Sequence, residues 1–155
     1  ELRDILSGLE QVSIDLRQAV DEDTESLTRV IAAEKLPHQS EAERLARTSA
    51  IEQAMKSAVA VPMRVAEGAL QALELLDELS AIETAERFAE IPAGAQLALA
   101  AMRAAFYKSL VGLNKLGDAE FTRHQRIEIE EMIARGQELA DEIESLFLSR
   151  QTRRE

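Results

Sequence analysis

A carboxylate in the middle of an apolar helix stripe is the first residue in this sequence that invites a chemical reading. Asp23 falls between Ala19/Val20 and Leu27, where the three-and-four spacing calls for a hydrophobe. Burying a carboxylate is costly unless it is paired or used. Asp23 is therefore either an acid held in a functional site or a solvated residue at a helix bend beside Asp21 and Glu22. Lys108 breaks a second stripe, sharing a face with Leu97, Ala101, Ala104 and Val111. Such a lysine either serves a site or extends its long stem past the apolar face to reach water. The two histidines, His38 beside Pro37 and His124 early in a late helix, are too few to carry a zinc site without cysteine or a His-Glu-x-x-His motif. No phosphate-binding loop, dinucleotide fingerprint or nucleophile elbow is present, and Glu128, Glu130 and Glu131 read as a solvated face. No metal is expected.

The elements that position these residues are helices. The chain has 155 residues, 46% of them hydrophobic but only 3% aromatic, so a core must be built from aliphatic residues and many alanines. That composition suits helices in close contact. The length is that of one domain, and residues 1–155 are read as a single helical unit. Leu2 to Lys35 forms a first helix, about 50 Å long, stopped by Leu36-Pro37. A second begins after Ser40, a good N-cap, and runs to Leu79 with a kink expected at Pro62. A short helix over Glu83–Ala89 is expected to close at Ile91-Pro92. A third long helix is expected over Ala93–Leu116 with Gly117 as its C-cap, and a last one from the Asp118 cap to Ser149. The expected fold class is all-α, an antiparallel bundle of four long helices plus one short one.

Charge narrows the partners. A net charge of −11 repels nucleic acid, and anionic membranes for the same reason. No apolar run approaches the roughly 18 residues of a membrane span, and no signal peptide is visible. The absence of cysteine excludes disulfides and thiolate metal sites and fits a cytoplasmic setting. Long alanine-rich helices leave apolar surface that one thin bundle does not bury, so a homodimer is expected.

Three segments resemble the cyclodeaminase/cyclohydrolase family of tetrahydrofolate enzymes. The first runs from Asp23-Thr-Glu-Ser-Leu27 to Leu36-Pro37-His38 and on to Arg44, similar to the family's Asp-x-x-Ala-Tyr/Phe followed by Leu-Pro-Lys and an acidic stretch. The second is Arg47-Thr-Ser-Ala50-Ile51-Glu-Gln-Ala54 with Ala58 and Val61-Pro62, similar to Ala-Ile-Gln-x-Ala and Val-Pro. The third is Leu97 to Phe121, ending Leu116-Gly-Asp118-Ala-Glu-Phe121, similar to an alanine-rich helix and its Lys-Asp-Glu-Phe close. The resemblance implies a dimeric helical bundle acting on the one-carbon unit between N5 and N10 of tetrahydrofolate, by cyclodeamination or hydrolysis. It implies Asp23 as the proton-handling or cation-stabilising acid, and His38, Arg47, Lys108 and Glu90 as candidates to hold substrate. The chain departs from the family in several places. The Gly-rich start and the Gly-Lys-Lys-Lys-Tyr segment are absent, so the domain is expected to be N-terminally incomplete relative to the family. His38 replaces the lysine after Leu-Pro. Glu90 alone stands near the aspartate of an Asn-x-x-Ser-Asp loop, and Lys108 and Gly112 replace an asparagine pair. The alternative reading is a non-catalytic family member, a dimerising or scaffold subunit of a larger complex.

Overall fold

The computed structural model describes residues 2–82 and 89–152. They form four helices in the order α1 (Leu2–Glu34), α2 (Glu41–Ile82), α3 (Glu90–Leu113) and α4 (Ala119–Thr152), with no strand among them. The expected short helix over Glu83–Ala89 falls on residues 83–88, outside the described residues, and Ala89 is the N-cap residue of α3.

Two of the helix starts follow directly from capping chemistry. At α2 the Glu43 amide donates to Ser40 Oγ at 3.2 Å, and Glu43 Oε2 accepts from the amides of Ser40 and Gln39 at 2.8 Å each. This reciprocal capping box satisfies amides that a helix start otherwise leaves open. The Ser40 amide foremost holds the Glu43 carboxyl below its ordinary pKa. At α4 the Phe121 amide donates to Asp118 Oδ1 at 3.0 Å, as the sequence predicts.

Two boundaries differ from expectation. Helix α3 begins at Glu90 and carries Ile91 and Pro92 in its first turn, so Pro92 opens this helix rather than closing the previous one. A first-turn proline costs nothing because its missing N–H has no intrahelical partner there. The same helix ends at Leu113 with Asn114 as C-cap, at φ −66° and ψ −13°, and Gly117 does not serve as a left-handed cap. Tight turns from Lys115 N–H to the Gly112 carbonyl and from Leu116 N–H to the Leu113 carbonyl carry the chain onward instead. Pro62 is buried inside α2, and the helix is unbroken across it.

The packing has a clear hierarchy. Helix α2 touches all three others, α3 and α4 also touch each other, and α1 packs on α2 alone. Register pairs give the directions. Gly8 lies against Leu75 and Gly68 against Leu16, so α1 and α2 are antiparallel. Gly94 lies against Leu76 and Gly112 against Val59, which makes α2 and α3 antiparallel. Gly136 lies against both Met102 and Leu73, close to the Arg103–Gln137 hydrogen bond that joins α3 to α4. Two buried clusters fill the α2/α3/α4 layer. One centres on Leu73, Leu99, Met102, Leu139 and Ile143, and the other on Val59, Met63, Ala66, Leu113 and Ile129.

Helix α1 buries Ile5, Val12, Ala19, Ser26 and Ala33, a strict seven-residue repeat, together with Val30. That is the spacing by which one helix lies along another. Because the backbones of α1 and α3 do not meet, an open groove runs between these two helices with α2 as its floor.

Candidate functional site

The groove has a volume of about 500 Å³, within the usual range for small-molecule sites. Leu16, Ala19 and Val20 of α1 form one wall and Ala101, Ala104 and Ala105 of α3 the other. Val61, Pro62 and Val65 of α2 make the floor. The polar lining is Asp23, Thr24 and Lys108.

Asp23 and Lys108, each conspicuous in the sequence as an interruption of an apolar stripe, meet across this groove. Lys108 Nζ lies 2.5 Å from Asp23 Oδ2, and the two side chains are 56% and 35% exposed. Asp23 sits seven residues after Leu16 and seven before Val30, on the part of α1 that turns from α2 toward the groove. The neighbouring Ser26 is buried against α2 and donates its hydroxyl to the Asp23 carbonyl at 2.8 Å, fixing the local backbone. On α3 the face carrying Lys108 is open: Leu97 is 73% and Val111 62% exposed. Lys108 is therefore a rim residue, not one threaded out of a core.

The other sequence candidates lie elsewhere. Arg47 donates from Nε and Nη2 to the Glu34 carbonyl at 3.1 and 2.9 Å. It closes the open C-terminal end of α1. His38 is exposed in the connection between α1 and α2. Glu90 is exposed at the first residue of α3, 18 positions before Lys108 and so roughly 27 Å from it along the helix. None of the three lines the groove.

Composition and periodicity do not reveal a second polar junction. Lys56 Nζ lies 2.6 Å from Asp118 Oδ2 and 5.2 Å from the centre of the Phe121 ring, while Asp118 caps α4. The hydrogen bond from Lys56, followed by the one from the Phe121 amide, holds the Asp118 carboxyl below its usual pKa. The same hydrogen bond to Asp118 raises the Lys56 ammonium. The junction ties α2 to the α3–α4 turn, and the Asp118 capping signal was its only trace in the sequence.

Among the described residues no three of His, Asp and Glu come together as a set able to hold a metal ion. No helix among them is long and apolar enough to cross a membrane. The chemistry the groove offers is one carboxylate, one ammonium and the Thr24 hydroxyl beside an open, aliphatic trough.

Fold and groove together describe a helical domain with an apolar trough and an acid at its edge. The family model described as formiminotransferase-cyclodeaminase matches residues 1–131, and the chain belongs to that family. It is 28% identical over 127 residues to formimidoyltransferase-cyclodeaminase of Rattus norvegicus, covering 80% of this chain and 24% of that protein. The Gallus gallus protein of the same name is 27% identical over 154 residues, covering 99% of this chain and 28% of that protein. The chain thus spans about a quarter of the length of these curated relatives. The crystal structure of formiminotetrahydrofolate cyclodeaminase from Thermotoga maritima superimposes with a TM-score of 0.78 at 21% identity, covering 90% of this chain and 66% of that one. At that identity the match speaks for the fold.

Proposed function

We propose that this domain acts in one-carbon metabolism, binding a tetrahydrofolate derivative in the α1–α3 groove and working on the carbon bridging N5 and N10. The observation that carries the reading is the Asp23 carboxylate at the edge of an apolar trough, in a chain of this family. A flat heterocycle packs against aliphatic walls by burial of its faces. The reacting carbon is amidinium-like, and a carboxylate beside it stabilises the cation and accepts the proton released at N10 during ring closure or from attacking water. Lys108 pairs with that acid at 2.5 Å and holds it at the groove edge. The reaction is accordingly of the lyase type when ammonia departs and of the hydrolase type when water adds. His38, Arg47 and Glu90 have no part in the site proposed.

The working form proposed is a cytoplasmic homodimer. Val20 and Leu27 on α1, and Leu97 and Val111 on α3, are each at least 60% exposed and leave apolar surface on the two helices that flank the groove. Light scattering that finds a monomer at micromolar concentration contradicts this part of the reading. The catalytic part is tested by the absorbance of methenyl-tetrahydrofolate. The protein is expected to form this chromophore from 5-formimino-tetrahydrofolate or to speed its loss beyond the rate in buffer, and the Asp23→Asn variant to abolish the acceleration. If wild-type protein neither forms the chromophore from 5-formimino-tetrahydrofolate nor removes it faster than buffer does, the enzymatic reading fails.

A further inference from the structure

We propose that Lys108 is an internal competitor for the groove's acid. It occupies Asp23 when the groove is open and gives up that carboxylate to the positive group of an incoming aromatic amidinium-type ligand. The inference rests on the reading of the groove as a ligand site and adds what selects the ligand.

The geometry points this way in three respects. First, the backbones of α1 and α3 do not come into contact, so the pair at 2.5 Å spans an open trough and not a packed helix interface. Second, the two partners are unequally held. Asp23 is anchored on a turn of α1 that the Ser26 hydroxyl braces, whereas Lys108 reaches it on a flexible four-carbon stem from a half-exposed position. Water takes up the released ammonium at little cost, because an ion pair this exposed is worth little. Third, the remaining lining is aliphatic, apart from Thr24. A ligand lying there finds one carboxylate and no other charged group beyond Lys108 itself. The neighbouring cation on the opposite side of α1, Arg64, is engaged by Glu22 and lies outside this groove.

A flat ring bearing a delocalised cation matches that arrangement. Its faces lie between Val61, Val65 and Ala104, and its charge replaces the ammonium on Asp23. A neutral ring of the same shape packs equally well but leaves the ion pair in place. Lys108 is thus a positioning and selectivity residue acting through Asp23.

The test uses benzamidine and its neutral isostere benzamide, titrated into the full chain and followed by amide chemical shifts. Lys108→Met should raise the preference for benzamidine over benzamide by about fivefold, the scale of an exposed ion pair. Lys108→Arg should restore the wild-type preference, and Asp23→Asn should abolish it. Circular dichroism checks that each variant folds. A preference that is unchanged in Lys108→Met, that survives Asp23→Asn, or that is absent because neither probe binds, overturns the proposal. Folate turnover with an unchanged benzamidine preference sinks only the role of Lys108. The expected preferences without folate turnover sink only the enzymatic reading.

Discussion

Replacing Ser109 with alanine should make this protein more stable. Ser109 lies on α3, next in sequence to the groove lysine, yet it is completely buried, and its Oγ finds no hydrogen-bond partner. Two other serines are also buried, but both are satisfied. Ser26 donates to the Asp23 carbonyl at 2.8 Å and Ser80 to the Asp77 carbonyl at 2.7 Å. An unpaired hydroxyl taken out of water costs about 1–3 kcal/mol. Alanine also has the better helix propensity, by roughly 0.5 kcal/mol, and fills nearly the same space. A gain of about 1–2 kcal/mol is expected for Ser109→Ala. At this chain length that corresponds to a rise of roughly 3–6 °C in Tm. Ser26→Ala and Ser80→Ala lose a hydrogen bond worth about 1 kcal/mol and should be neutral or destabilising. The assay is a set of thermal melts by circular dichroism with urea titrations alongside. A Tm for Ser109→Ala at or below wild type refutes the argument, since it means the hydroxyl is paired in solution.

Gly112 carries a complementary expectation. A Cβ there would lie 2.7 Å from Val59 Cγ2, and a β-branched side chain in a helix has almost no freedom to turn away. The overpacking cost of about 1–3 kcal/mol exceeds the roughly 1 kcal/mol that alanine gains in helix propensity. Gly112→Ala should therefore lower the urea midpoint, by up to about 2 kcal/mol in stability. The Lys56–Asp118 junction predicts a pH dependence. The Asp118 carboxyl is lowered by Lys56, so its stabilisation is present above its ordinary pKa near about 4 and is lost as pH falls through the lowered value. The Lys56 ammonium is raised by Asp118, so its share is present below about 10.4 and is lost as pH rises through the raised value. The Tm difference between wild type and Asp118→Asn should be largest between these limits and shrink toward both. A difference that does not vary with pH contradicts the assignment.

The start of α2 at Ser40 and of α4 at Asp118 could be read from the sequence because a single side chain sets each boundary. The limits of α3 could not. Pro92 is a stop signal in one context and a first-turn residue in another, and its role depends on what precedes it. Gly117 has the composition of a C-cap, but the helix had already ended at Asn114. The apolar stripes mark the helices but not which of their faces are covered. Leu97 and Val111 of α3, and Val20 and Leu27 of α1, follow core spacing but lie exposed. Helix α3 is apolar on two faces while α2 and α4 cover only one, so periodicity alone has no means of choosing. Asp23 and Lys108 were each visible as interruptions. That they meet depends on the registers of α1 and α3 on α2, which are set by close contacts such as Gly68 with Leu16 and Gly112 with Val59. No local pattern encodes those registers. Arg47 stood out only through the family resemblance, and no local pattern encodes the hydrogen bonds of its fork to the Glu34 carbonyl, 13 residues away.

The central claim is that the α1–α3 groove holds a folate. Ala104 lines one wall and is exposed, so a tryptophan there fills the trough without disturbing the core. The decisive measurement is calorimetric titration of 5-formyl-tetrahydrofolate into wild-type protein and into Ala104→Trp, with circular dichroism to show that both are folded. Saturable binding is expected for the wild type and none for the variant. Equal binding to both, or none to either, contradicts it.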